Sequence, residues 1–156
     1  MLTIALTALL AACGSGRAGE QHTPAGRSPP DPFAGKTTAQ FCADDSLVLV
    51  KWDFDQAQRD FHRLCCGKDG LGDDLRCELD WPFSDVPSCT AWASLRNGIY
   101  ARYGYPFTKA EWQKTYAATP WYERREDFEA SWLPAVAAAN VEKLKQLEKD
   151  HVGCQP

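Results

Sequence analysis

Seven cysteines in a chain of 156 residues constrain its fold more than any other feature. Six of them, Cys42, Cys65, Cys66, Cys77, Cys89 and Cys154, lie in the part of the chain able to fold. An even set at this density reads as a disulfide framework made in an oxidising compartment. Cys65 and Cys66 are adjacent, and a vicinal disulfide is strained, so each is expected to reach a different partner. Six cysteines allow fifteen connectivities. The expected set joins Cys42 to one of the vicinal pair, Cys77 to the other, and Cys89 to Cys154. That last pairing assumes that a helix starting near Ser88 and the final helix run antiparallel. The run His62-Arg63-Leu64-Cys65-Cys66 also offers ligands of the kind zinc takes. Paired cysteines fit the compartment better, so no metal and no cofactor is called for. Cys13 is left over.

The chain opens MLTIALTALLAA. Leu2 to Ala12 carries no charge and is about half the roughly 20 residues that a membrane-crossing helix needs. It fits the apolar region of a secretory signal. Leu10-Ala11-Ala12-Cys13 resembles the bacterial lipobox. The resemblance implies cleavage after residue 12 and a lipid on Cys13, which would account for the odd thiol and anchor the chain to a membrane. Gly14 beside Cys13, in sorting systems like the enterobacterial one, favours the outer membrane and leaves the face open. Residues 14–36 are rich in Gly, Pro, Ser, Thr and Ala, with Phe33 as the one aromatic residue. This composition is expected to stay unstructured as a tether. The expected organisation is a signal peptide (1–12), a lipidated cysteine and tether (13–36), a Cys-rich helix and loop (37–87), and a second helical region (88–152). Residues 37–156 are expected to form one folded unit. A net charge of −4 with no basic stripe excludes nucleic acid as a partner.

From Asp44 the apolar residues Leu47, Val50, Phe54, Ala57, Phe61 and Leu64 alternate in steps of three and four. That spacing predicts one amphipathic helix from about Ser46 to Cys66, capped by Asp44, Asp45 or Ser46. Residues 67–87 read as an ordered loop pinned through Cys77. A helix from Ser88 carries Trp92, Leu95, Ile99 and Tyr103 and stops at Gly104. Thr108-Lys109-Ala110-Glu111 reads as a capping box opening a short helix through about Ala117. Pro120-Trp121-Tyr122 makes a turn. Pro134 opens a last helix to about Asp150, with Val136, Asn140, Val141, Leu144 and Leu147 inward. The fold class is therefore all-α: a small disulfide-stapled domain of about four helices with one long crosslinked loop.

The stretch Arg96-Asn97-Gly98-Ile99-Tyr100-Ala101-Arg102-Tyr103-Gly104-Tyr105 resembles the motif of the YARHG domain, a bacterial extracellular module. Phe107, Pro120-Trp121-Tyr122, Leu133 and Asn140 follow in the family's order. Gly98 stands where the family usually has glutamate, and Tyr103 where it has histidine. The resemblance implies a fold and an extracellular location, and it maps no catalytic residue. The residues themselves give two readings of the stretch. In the first, it builds a tight helix–loop–helix corner, with Asn97 and Arg102 donating to carbonyls near Gly104-Tyr105-Pro106. In the second, it forms a binding site drawn from Arg96, Asn97, Tyr100, Arg102, Tyr105, Trp121 and Tyr122. Tyr103 in place of histidine removes the one group there that titrates near neutral pH.

Asp69, Asp73, Asp74, Glu78 and Asp80 crowd one loop, but they miss the calcium-binding EF-hand pattern at its third and sixth positions. No nucleophile–His–acid set can be assembled from His22, His62 and His151. Trp112, Trp132 and Tyr105 are aromatic faces able to stack on sugars if exposed. The reading adopted is a non-enzymatic envelope lipoprotein presenting a helical surface to peptidoglycan or to another envelope protein. The alternative is a carboxylate-based hydrolase of wall polymers, which would need a cleft holding two carboxyls with divergent pKa values.

Overall fold

A computed structural model describes residues 28–66 and 88–154. The expected signal peptide and lipidated Cys13, the expected tether before Ser28, and residues 67–87 with Cys77 and the acidic cluster lie outside the described residues. Six α-helices follow in order: α1 (Thr38–Cys42), α2 (Asp45–Lys51), α3 (Phe54–Cys65), α4 (Cys89–Arg102), α5 (Ala110–Ala117) and α6 (Ala135–Asp150). Single 3-10 turns at Ala130–Trp132 and Val152–Cys154 complete them. Among the described residues there is no strand, so the all-α expectation stands.

The helices sit where local chemistry starts them. Thr37 and Gln40 form a reciprocal capping box on α1, with bonds of 3.2 and 3.0 Å. Asp44 accepts from the Leu47 N–H at the start of α2, and Ser88 does the same for Ala91 at the start of α4. The run Ser46–Val50 is buried on every side. A helix apolar all round belongs in a core, and α2 lies between α4 and α6 with α1 and α3 against it. Leu47, Val48, Leu49, Ile99, Ala137, Val141 and Leu144 are sealed from solvent there. The ring of Phe33 packs 5.8 Å from Phe41, so ordered contacts begin before Lys36, inside the stretch expected to be unstructured.

The long helix expected over Ser46–Cys66 is in fact two. Trp52 is extended, and Asp53 caps α3 by accepting from Asp55 and Gln56. The groups freed at the break are closed by Asn140 of α6, which is 1% exposed. Its Nδ2 donates to the carbonyls of Leu49 (2.6 Å) and Trp52 (2.8 Å), and its Oδ1 accepts from the Phe54 N–H (2.7 Å). The apolar period runs unbroken through the gap because both pieces face the same core. On α6 the sealed residues include Ala137, while Val136 and Leu147 are only half-buried. The capping box expected at Thr108 does not form. Helix α5 begins one residue later, with Lys109 at its N-cap and no side-chain cap.

Two disulfides staple the ends. Cys42–Cys65 ties α1 to α3, and Cys89–Cys154 ties the start of α4 to the turn after α6, with Cα atoms 5.5 and 5.2 Å apart. Cys66 also carries a disulfide. The antiparallel α4–α6 arrangement assumed for Cys89–Cys154 is the one found.

Candidate functional site

Helix α4 carries the site because its two long sides do different work. The side facing the core holds Trp92, Leu95, Ile99 and Tyr103. Tyr103 is 3% exposed, and burial, reinforced by the Asp31 carboxylate, pushes its phenol up to about 12. Gly98 faces α2. A Cβ built there would stand 2.8 Å from Cβ of Ser46, a contact real side chains do not make. Glycine is therefore the residue that lets α4 lie against α2.

One turn along α4, Arg96 and Tyr100 point instead towards α6 and α5. Arg96 Nη1 pairs with Glu148 Oε2 at 2.5 Å, and Arg96 Nε reaches Asn97 Oδ1 at 3.4 Å. Lys145 lies between Glu142, to which it donates at 2.7 Å, and the Tyr100 hydroxyl. The bond to Glu142 and the contact with Tyr100 raise the ammonium pKa. This charged zipper between α4 and α6 forms the floor of an open cleft of about 330 Å³. The opposite wall is aromatic: Tyr105, Phe107 and Trp112, with Lys109 and Thr108 at the rim. Tyr105 packs among Tyr100, Phe107 and Phe128 at 5.0 to 5.2 Å, tilted against the first and edge-on to the other two. A second cleft of about 520 Å³ shares Arg96, Lys109 and Trp112 and runs on to Cys89–Cys154. Together they make one groove along α4 and α5.

Four of the seven candidate binding residues, Arg96, Asn97, Tyr100 and Tyr105, therefore meet in one cleft. The other three are elsewhere. Arg102 does not serve the corner carbonyls. Its guanidinium is buried, pairs with Asp44, donates to Ser46 Oγ at 3.2 Å and lies 3.3 Å from the Trp121 ring centroid. Burial lowers it to about 10, so it stays protonated at neutral pH. Trp121, 38% exposed, covers it from outside. Tyr122 donates its hydroxyl to the Tyr105 carbonyl at 2.7 Å.

The corner carbonyls that Asn97 and Arg102 were expected to satisfy are held by Gln113 and Arg124, which donate to Phe107 O at 2.8 and 3.2 Å, and by Tyr122. Gly104 makes the corner possible. It sits at φ +80°, and a Cβ there would meet Glu123 O at 2.6 Å. Beneath it, Phe107 stacks on Tyr116 at 4.7 Å. Burial pushes the Tyr116 phenol up to about 12, against the pull of nearby Arg102.

Sequence reasoning missed Lys109 and Lys145 as cleft residues. Lys145 reads as one member of a solvated helix face, and Lys109 as the interior of a capping box. Cys89, Cys154 and His151 also converge, their ligand atoms within 4.8 Å of one another. Both sulfurs are spent on the disulfide, which leaves His151 alone.

The fold and groove define a disulfide-stapled, all-α domain with an aromatic and cationic cleft. Residues 83–149, which contain every residue of that first cleft, match the family model described as the YARHG domain. No curated protein and no solved structure matches the chain.

Proposed function

We propose that this chain is a non-enzymatic lipoprotein of the bacterial cell envelope, anchored through Cys13, that uses its groove to hold a wall polymer or an envelope protein. The observation that carries this reading is the cleft between α4, α5 and α6. It lies within the YARHG-matched segment and combines aromatic faces with cations. Its volume of about 330 Å³ is at the lower end of ligand sites. The lipobox-like Leu10-Ala11-Ala12-Cys13 and the disulfides support the location. Among the described residues no helix is long and apolar enough to cross a membrane, which fits an anchored chain.

In the groove the carboxylates that share a wall are Glu111 and Glu148, and Glu148 is tied to Arg96. A binding role uses that pair as it stands; hydrolysis would need it released. The test is retention of the oxidised full-length chain on purified sacculi, beside capture from detergent-solubilised envelope. Saturable retention on sacculi, without release of soluble fragments, supports the wall-binding form. Enrichment of one envelope protein supports the other form. Release of soluble wall fragments by the chain would refute the non-enzymatic reading.

A further inference from the structure

The cleft is chemically two-sided. One side offers ring faces, with Tyr105 and Trp112 half-exposed at the wall. Aromatic faces of this kind pack against the C–H face of a pyranose, burying apolar area without demanding a hydrogen bond. The other side offers positive charge in unequal states. Arg96 and Lys145 already share theirs with Glu148 and Glu142. Lys109 has no ion pair among the described residues, and it stands at the uncapped start of α5, where the helix dipole adds positive potential. Arg96 engages Nε and Nη1 and keeps Nη2 without a partner among the described residues. An anion placed between Lys109 and Arg96 would therefore gain a charge-assisted pairing without displacing an existing one. The second cleft continues past Arg96, Lys109 and Trp112, which gives the groove room for more than one sugar ring.

We infer that the groove recognises a carboxylate-bearing sugar of a glycan strand, with the ring on Trp112 and Tyr105 and the carboxylate between Lys109 and Arg96. This rests on the wall-binding reading of the proposed function and names its substrate class. A neutral glycan would use the ring faces alone, and a bare anion the cations alone.

The probes are N-acetylmuramic acid and N-acetylglucosamine, which share a ring and differ by one lactyl ether ending in a carboxylate. Binding of each to the oxidised full-length chain is measured by calorimetry and by ligand-observed magnetic resonance. The acidic sugar should bind about tenfold more tightly, the range expected of one hydrogen bond to a charged group. Lys109→Gln, at an exposed position, should remove most of that preference. Lys114→Gln, also exposed on α5 but outside the cleft, should leave it intact. Equal affinity for the two sugars, or a preference unchanged in Lys109→Gln, overturns the inference. If neither sugar binds while sacculi still retain the chain, the sugar subsite falls and wall binding stands. If sacculi do not retain the chain either, both fall.

Discussion

Asn140 is the residue whose removal should tell most about how this fold is held. Its carboxamide makes three buried bonds to the α2–α3 break: two donated to Leu49 O and Trp52 O, one accepted from Phe54 N–H. Asn140→Ala leaves two carbonyls and one N–H without their partner. Each such group costs about 1–3 kcal/mol, and a water entering the vacated space recovers part of the sum. The expected loss is about 3–5 kcal/mol, a large share of the ~5–15 kcal/mol typical of a domain. At roughly 4 °C per kcal/mol for a domain of this size, Tm should fall by about 12–20 °C.

Asn140→Asp sharpens the test. It keeps an acceptor for Phe54 but sets a carboxylate against two carbonyl oxygens, and burial there raises its pKa above the usual carboxylate value of about 4. With the folded pKa raised, the neutral form is favoured on folding. That stability is present below about pH 4 and is lost as pH rises through the raised value. Urea unfolding with disulfides intact, across a pH series, should show the deficit of Asn140→Asp against the parent chain shrinking in acid and that of Asn140→Ala unchanged with pH. A loss under about 1 kcal/mol in Asn140→Ala would show that the Asp53 cap alone maintains the break, refuting the reasoning.

Three further outcomes are expected. Gly98→Ala should cost about 1–2 kcal/mol despite a better helix former, because its Cβ meets Ser46 at 2.8 Å; a stabilised variant in thermal melts would show that α2 and α4 are farther apart. Replacing Cys89 and Cys154 together by alanine opens a crosslink of sequence separation 65 and should cost about 4 kcal/mol on the chain-entropy account; denaturant unfolding gives the value, and a loss below about 1 kcal/mol would contradict it. Ultraviolet titration should find Tyr103 and Tyr116 ionising only near pH 12. Since both values are raised, their contribution to stability is full below about pH 10 and is lost between 10 and 12; all five tyrosines titrating together in the native protein would contradict their burial.

What was legible in the sequence was mostly what neighbours decide. Ser88, Gly104 and Pro134 punctuate α4 and α6 within a residue or two of where the structure has them. The Cys89–Cys154 bond followed from running those helices antiparallel. The break at Trp52–Asp53 escaped because the bonds that close it come from Asn140, some ninety residues away, while the apolar spacing across it is undisturbed. Helix α1 was not read at all, because five residues are too short to show an apolar period. Arg102 was misassigned for a similar reason: its partners Asp44 and Ser46 are distant in sequence, and the nearer corner carbonyls were taken by Gln113, Tyr122 and Arg124. Half the cleft was visible, since Arg96, Asn97, Tyr100 and Tyr105 share one short stretch. Its other cations come from α5 and α6 and carry no local mark.

The Cys89–Cys154 bond closes residues 90–153 into a covalent ring. A protease that cuts one exposed site inside that ring, such as Lys114 or Arg124, produces two fragments on paper and one molecule in practice. The pieces stay joined through sulfur and stay docked through the α4–α6 core, so the groove outlasts a single nick. Only cleavage combined with reduction would release them. That tolerance is a form of durability separate from resistance to unfolding.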